Sequence, residues 1–420
     1  MTDLSPDAFH PRGAAGVGRV GRVGQRAYAG GGALQDEPPS EVSQWSQWAR
    51  SVDHVSILIC VALFCIGVVL AFAASPALAE SNQTSPFYYA WRHLIFGAPA
   101  FVLLFTISFF SPSAVRRLAV FATFAGLVAL ALLPLYGTDF DQGGTRWYAL
   151  PGLGSLQPSE FLKPALIVTC AWLLSASSGV DRGSNARDQG LGPAGAGASL
   201  ALLATAAALL VIQPDYGQTA LILVVWAAMY FVSGASLVTL AALALCAFVG
   251  AIIAFQVEPH IAYRVTAFWE EGGAPPQQLL DARQAMINGG WFGVGPGDGV
   301  NKLTLAEANS DFIFAVAIEE YGFALGVLLV VLFSFITLNA LWRLRRVEAA
   351  FPRLAGIGLA LLFGLQAFVN MAVTVQLLPA KGMTLPFISY GGSSLIGIGL
   401  TMGMLLALTR RRLLDETRRF

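Results

Sequence analysis

The sequence predicts an all-α, polytopic integral membrane protein with about ten transmembrane helices and a large extracytoplasmic loop between helices 7 and 8. Hydrophobic residues make up 56% of the 420 residues and charged residues 12%, with a mean hydropathy of +0.65. A soluble domain is about a quarter charged, so this composition is typical of a chain that lies in lipid. The formal net charge of zero argues against a nucleic-acid partner.

Successive apolar runs are the second observation behind this fold class. Each run is long enough to cross a bilayer, which takes about 20 residues in a helix. Only the motif "QPDYG" separates the fifth run from the sixth. The predicted spans are 54–75, 88–111, 115–135, 158–177, 197–213, 216–233, 235–256, 311–341, 354–378 and 388–409.

The distribution of arginine predicts the orientation, because cytoplasmic loops carry an excess of basic residues. An even number of spans with basic ends places both termini in the cytoplasm. The basic positions on that side are Arg116, Arg117, Arg182, Arg187, Arg343, Arg345, Arg346, Arg353, Arg410, Arg411 and Arg412.

Three regions follow from this pattern. Residues 1–52 lack an apolar core behind Met1, which argues against a cleavable signal peptide. Their Gly- and Arg-rich composition is typical of a disordered basic tail in the cytoplasm. Residues 53–412 form the transmembrane domain and residues 413–420 a cytoplasmic C-terminal tail. The predicted extracytoplasmic loop, 257–310, is longer than an idle connection and is therefore expected to be functional.

Polar and helix-breaking residues cluster at membrane depth or at its outer edge, where they are expensive to maintain. A purely structural interpretation exists for each cluster. The glycines and serines of "SYGGSS" (389–394) allow close helix packing, and Gln157, Pro158 and Pro214 interrupt helices at the interface. Glu160 and Lys163 stand three residues apart on one helix face, where they neutralise each other.

Asp311 opens the eighth predicted span. A helix that begins near Ser310 would place the carboxylate at the positive end of the helix dipole, which is a structural explanation for it. Glu307 lies one turn earlier, and Glu319 lies about 12 Å further along such a helix. This acidic series suggests a cavity that opens to the outer side. Glu320 would point away from Asp311 and is expected to be structural.

Five motifs occur in order along residues 54–412. They read "RWYALPGLGSLQPSEFLK", "QPDYGQTAL", "GGWFGVGPGDGVNKL", "EANSDFIFAVAIEEYG" and "LPAKGMTLPFISYGGSSL". In these motifs the chain resembles the SEDS (shape, elongation, division and sporulation) family. The stretch "KGMTLPFISYGGSS" is more similar to the division, FtsW-type branch than to the RodA-like elongation branch. The departures are Ala306, Asn309 and Ser310, where the family more often has Pro, His and Thr.

The resemblance implies a peptidoglycan glycosyltransferase that polymerises lipid II, a disaccharide-pentapeptide on undecaprenyl diphosphate, during septal cell-wall synthesis in the bacterial inner membrane. It implies partners among class B penicillin-binding protein transpeptidases and other division proteins, with membrane lipid around the helices. By motif position Asp311 is the catalytic general base. Expected substrate-binding residues are Arg146, Glu160, Lys163, Asp215, Arg264, Gln284, Lys302, Glu307, Lys381 and Ser389. The resemblance implies no required organic cofactor and leaves a divalent cation (Mg²⁺ or Mn²⁺) as an alternative.

Three alternative functions remain at this point. Many spans with polar groups in the membrane also suit a lipid II flippase, although no duplicated half is evident. A RodA-like polymerase of cell elongation is the second. A non-catalytic scaffold that recruits a transpeptidase is the third.

Overall fold

The structure is a computed structural model that describes residues 43–81, 83–138, 145–150, 154–175, 193–234, 237–257, 266, 277–305, 307–379 and 382–410. The chain divides into two compact units, residues 1–47 and 48–420. The predicted tail up to residue 42, the C-terminal tail 413–420 and most of 258–276 lie outside the described residues.

Helices dominate the described part of the chain. Helices α1 to α6 are Gln44–Ser51, His54–Ser81, Tyr88–Ser108, Pro112–Tyr136, Pro158–Ser175 and Pro193–Ile212. Helices α7 to α12 are Tyr216–Val232, Leu237–Val257, Gln277–Gly289, Ile313–Leu344, Ala350–Thr374 and Gly392–Thr409. Strands β1 (Tyr148–Leu150) and β2 (Gly154–Leu156) form an antiparallel hairpin between α4 and α5 in which Tyr148 faces Leu156.

The predicted all-α membrane fold is confirmed. Each predicted span coincides with one helix, and among the described residues seven helices are long and apolar enough to cross a membrane. Helices α7 and α8 are shorter apolar helices, and α5 carries Glu160 and Lys163. The amphipathic helix α9 lies within the predicted extracytoplasmic loop.

Several predicted helix starts differ from the structure by two to four residues, and two of them bear on the site. Helix α10 begins at Ile313 rather than 311, so Asp311 lies in the preceding turn. Helix α12 begins at Gly392 rather than 388, because the Ser389 hydroxyl accepts a hydrogen bond from the Leu385 N–H and closes a turn there. Hydropathy does not distinguish an apolar turn from an apolar helix, which explains both differences.

Helix α12 lies at the centre of the bundle and is almost entirely buried. It packs most extensively against α3 and also contacts α5 and α11. Close approach to α3 depends on Gly399, where an added Cβ would overlap the carbonyl oxygen of Ala100. Small residues at helix contacts are the usual way to bring membrane helices together.

Helix α10 is broken at Gly322, which has φ +81° and ψ 175°. The loop after α9 fills the break with backbone hydrogen bonds. The carbonyls of Glu319 and Glu320 accept from the N–H groups of Val294 (2.9 Å) and Gly295 (3.1 Å). On the other side of the break, the N–H groups of residues 323 and 324 donate to the carbonyls of residues 290 and 291.

This loop therefore replaces the two hydrogen bonds that an unbroken helix would make between residues 319 and 323 and between residues 320 and 324. The replacement is needed because an unsatisfied backbone group away from water costs several kcal/mol. The residues after the break, 323–344, extend about 33 Å at about 1.5 Å per residue, enough to cross the hydrocarbon core alone. The preceding half-helix, 313–321, is a separate short element.

We expect Gly399→Ala to destabilise the protein by about 1–3 kcal/mol, because the new methyl group overlaps the α3 backbone. The matched control is Gly197→Ala in α6, where nothing lies within 4 Å of an added Cβ. Thermal unfolding of the two purified variants measures the difference. Equal melting temperatures for both variants would contradict the close packing of α12 on α3.

Candidate active site

A polar cavity of about 680 Å³ lies at the end of the bundle where α5, α7, α10 and α12 begin. We call this end the site end. The cavity is formed by segments that are distant in sequence: the β1–β2 hairpin, the α6–α7 turn, the turn before α10 and the loop before α12. Among the predicted site residues, Arg146, Glu160, Asp215, Glu307 and Asp311 line it.

Asp311 is half-buried in the turn that precedes α10. Its backbone carbonyl accepts a hydrogen bond of 2.8 Å from the Asn370 amide of α11, which also donates to the carbonyl of Met383. An added Cβ at Gly382 would lie 2.7 Å from the Asp311 carboxylate oxygen Oδ2. Asn370 thus fixes the backbone on both sides of the carboxylate, and Gly382 leaves room for it.

The loop before α12 holds the same turn from the other side. The Tyr390 N–H donates to the carbonyl of Asn309 at 2.7 Å, and the Ser389 hydroxyl donates to the carbonyl of Ser310 at 2.5 Å. Ser389 is buried and does not line the cavity. Its position therefore makes it a support of the turn.

Arg146 precedes β1 and connects the hairpin to the α6–α7 turn. Its guanidinium donates to the carbonyls of Gln213 and Pro214, both at 3.0 Å. Gln157, which follows β2, donates through its amide to the Asp215 carboxylate at 3.5 Å. Asp215 also caps α7 by accepting from the Gln218 N–H. The walls formed by the hairpin and by the start of α7 are therefore joined.

A buried polar network lies at the base of the cavity. The Lys163 ammonium lies 2.9 Å from the Glu160 carboxylate and donates to the Gln366 amide at 3.1 Å. Glu160 also accepts from the Gln218 amide at 2.9 Å. Both charged side chains are 3% exposed, so the interpretation of mutual neutralisation is correct for this pair. Gln366 donates on to the carbonyl of Thr384, which connects the network to the loop before α12.

Two other groups of the lining have properties relevant to ligand binding. Burial raises the pKa of Tyr390 to about 12, with Arg92 acting in the opposite direction, so the phenol is a neutral hydrogen-bond donor at physiological pH. Asn309 is 1% exposed, and neither its amide oxygen nor its amide nitrogen has a hydrogen-bond partner among the described residues. Buried amides are normally satisfied, so Asn309 is a candidate ligand contact.

The prediction that Glu319 continues an acidic series facing the cavity along α10 is wrong. Glu319 does not face the cavity, because the loop after α9 covers it. Its carboxylate accepts from the N–H groups of Val300 (3.1 Å) and Asn301 (2.9 Å) and from the Asn301 amide. Glu320 is paired with Lys302 at 2.6 Å, in agreement with the structural role expected for Glu320.

Lys302 consequently lies away from the cavity. It is buried, and its ammonium also donates to the carbonyl of Gly297. Gln284 is exposed on α9, where it donates to the Asn288 side chain. Arg264 and Lys381 lie outside the described residues. The structure thus brings five predicted residues to the cavity, places Lys163 beneath it and Ser389 behind its wall, and leaves Lys302 and Gln284 elsewhere.

Several residues of the site were not predicted. Gln278 lines the cavity in place of Gln284, and Gln366 and Asn370 hold its base and its Asp311 wall. Gln366 and Asn370 are polar residues four positions apart in an apolar run of α11. Polar residues at this spacing in a membrane helix were the signal that could have predicted them. Among the described residues, no group of three or more His, Cys, Asp or Glu side chains is arranged to hold a metal ion.

The fold and cavity define a class: a multi-pass membrane protein whose polar site is built into one end of its helix bundle. The family model described as "Cell cycle protein", covering FtsW, RodA and SpoVE, matches residues 54–413. This chain belongs to that family.

Named relatives agree with this membership, and solved structures share the fold. The "Probable peptidoglycan glycosyltransferase FtsW" of Caulobacter vibrioides is 37% identical, covering 87% of this chain and 91% of its own. Stage V sporulation protein E of Bacillus subtilis is 31% identical, covering 86% and 97%. The chain shares the fold of a solved structure described as "Structural coordination of polymerization and crosslinking by a peptidoglycan synthase complex" (TM-score 0.66, 22% identity, covering 85% and 97%). It also shares the fold of Thermus thermophilus RodA (TM-score 0.59, 24% identity, covering 85% and 96%).

We predict that Lys302→Ala destabilises the protein by about 3–5 kcal/mol, because Glu320 would stay buried without its cation. The double variant Lys302→Met/Glu320→Leu removes both charges and should recover most of this loss. Thermal unfolding of the three proteins tests the ion pair. A wild-type melting temperature for Lys302→Ala would contradict a structural role for the pair.

Proposed function

We propose that this chain is a peptidoglycan glycosyltransferase that polymerises lipid II during septal cell-wall synthesis, with Asp311 as general base. The observation that carries the proposal is the position of the Asp311 carboxylate. It lies in a polar cavity at the site end of an apolar helix bundle, on a turn held by α11 and by the loop before α12. A lipid-linked sugar requires this arrangement, because its head group is polar and its prenyl chain is apolar.

In the proposed reaction the Asp311 carboxylate takes the proton from the 4-hydroxyl of the acceptor's N-acetylglucosamine. That oxygen attacks the anomeric carbon of the donor, and the bond from this carbon to the undecaprenyl diphosphate breaks. The diphosphate leaves with the bonding electron pair. General-base assistance of this kind contributes about 10²–10⁴ in rate.

Negative charge on the leaving diphosphate favours fixed cations and donors near it. Arg146 lines the cavity, and its guanidinium donates hydrogen bonds to two backbone carbonyls. It is therefore a rigidly held cation. Lys163 lies beneath the cavity and is neutralised by Glu160, so its proposed role is to hold the Glu160 carboxylate in the cavity lining. We propose the neutral amide of Asn309 as a further substrate contact. The proposed roles of Arg264 and Lys381 concern residues outside the described part of the chain.

A divalent cation is a further component of the proposal. Mg²⁺ is normally held by one or two carboxylates together with substrate phosphates rather than by a complete protein cage. Asp311, Glu307 and Asp215 supply carboxylates to the cavity, and the lipid diphosphate would supply the remaining oxygens. A bound cation would neutralise charge on the leaving diphosphate.

The proposed location is the bacterial cytoplasmic membrane at the division septum, with both termini in the cytoplasm and the site end outside. The basic residues that support this orientation include Arg116, Arg343 and Arg353, all at the end of the bundle opposite the cavity. We also propose a class B penicillin-binding protein as partner, since a neighbouring fold comes from a peptidoglycan synthase complex.

We expect Asp311→Asn to lower lipid II polymerisation by about 10²-fold or more, since the amide keeps the size of the side chain and removes the base. The matched control is Asp298→Asn, the same change at an exposed position outside the cavity, which should keep wild-type activity. Glycan formation from lipid II by purified protein with the transpeptidase partner is the measurement.

This assay also separates the polymerase from a flippase, because lipid II in detergent needs no transport. No glycan from the wild-type protein under any cation or partner condition would contradict the transferase. Polymerisation by Asp311→Asn at the wild-type rate would instead leave the transferase and remove Asp311 as its base.

Removal of divalent cations should lower polymerisation, and Mg²⁺ or Mn²⁺ should restore it, because the leaving diphosphate would lose a charge-neutralising ligand. The measurement is the initial rate during titration with a chelator and then with each metal. Full activity in excess chelator would mean that the protein's own cations are sufficient.

A further inference from the structure

A second cavity of about 1000 Å³ lies at the end of the bundle opposite the site end, between the end of α7, the end of α10 and the start of α11. Its lining is mostly apolar and includes Val232, Phe335, Leu338 and Trp342. Leu338 is 64% and Trp342 54% exposed, so the groove opens sideways on surfaces that face lipid in a membrane. We call it the lower groove.

Two arginines stand at the mouth of the lower groove. Arg345 follows α10 and is exposed, and Arg353 lies in the first turn of α11 and is half-buried. Neither side chain has a hydrogen bond or an ion pair with any described residue. Glu348, in the connection between the two helices, is already engaged in an interaction of its own. Within the described part of the chain, these two positive charges therefore lie beside an apolar groove without a carboxylate paired to them.

Other basic residues nearby are already engaged. Arg343 is paired with the buried Asp53 at 2.9 Å, and Asp53 also accepts from the Asn339 amide. The Arg346 guanidinium lies over the Trp342 ring, 4.4 Å from its centroid. Arg345 and Arg353 differ from these in having charge available for a ligand.

We propose that the lower groove is a binding site for an anionic phospholipid, whose phosphate pairs with Arg345 and Arg353 and whose acyl chain occupies the apolar lining. Charge complementarity selects this occupant, because basic pockets between membrane helices recognise anionic head groups and arginine binds phosphate through paired N–H donors. An isolated phosphate would leave the apolar groove unfilled. The site is separate from the polar cavity and does not depend on the proposed function.

Native mass spectrometry of the purified full-length chain tests this site with phosphatidylglycerol and with phosphatidylcholine of identical chains. The variant Arg345→Gln/Arg353→Gln should weaken phosphatidylglycerol binding by about 25-fold, taking about fivefold for each arginine, and should bind the two lipids equally. The matched control is Arg50→Gln/Arg117→Gln, which removes the same charge from two exposed positions outside the groove. It should change the affinity by less than about twofold.

Two further measurements identify the occupant. Excess glycerol 3-phosphate should not displace the lipid, because it lacks acyl chains, and Leu338→Trp should weaken binding of the lipid by filling the groove. A photoreactive residue at Leu338 should crosslink to lipid in membranes. The proposal is overturned if the control variant loses as much affinity as the groove variant, if wild-type protein binds both lipids equally, or if Leu338 crosslinks to a partner's membrane helix instead.

Discussion

The break in α10 is the constraint on which the rest of the site depends. A helix interrupted beside a membrane leaves backbone groups that must be satisfied by other protein groups. The loop after α9 supplies them, with bonds of 2.9 Å and 3.1 Å to the carbonyls of Glu319 and Glu320. Because Gly322 redirects the chain there, the half-helix 313–321 is set apart from the segment that crosses the membrane, and Asp311 lies in the turn at its N-terminal end.

The same carboxylates that the break buries also hold the loop. Glu319 binds the backbone of residues 300 and 301, and Glu320 binds Lys302. The half-helix, the loop and α9 therefore form one unit, which contacts the cavity through the turn at Asp311. On its far side this turn is tied to Asn370 and to the loop before α12. The proposed base therefore lies on a short turn that is held on one side by the half-helix unit and on the other by Asn370 and the loop before α12. Catalytic groups require such fixed positions.

Sequence reasoning predicted the helices well, because apolar runs of membrane length have few alternative structures. The family resemblance also placed Arg146, Glu160, Asp215, Glu307 and Asp311 in one expected site, and the structure brings all five to one cavity. Sequence reasoning was wrong about Glu319, because a straight helix was assumed and a positive φ at Gly322 leaves no signal in hydropathy. Nor did it find Asn370, whose role depends on a contact between residues 59 positions apart.

The central claim is that Asp311 is held where a glycosyl acceptor binds. The most direct measurement is a structure of this chain with its partner and a lipid II analogue that carries a non-transferable diphosphate linkage. The account predicts an Asp311 carboxylate oxygen within about 2.6–3.2 Å of the acceptor's 4-hydroxyl, with the diphosphate on the Arg146 side of the cavity. An acceptor hydroxyl bound elsewhere, with Asp311 contacting protein groups alone, would contradict it.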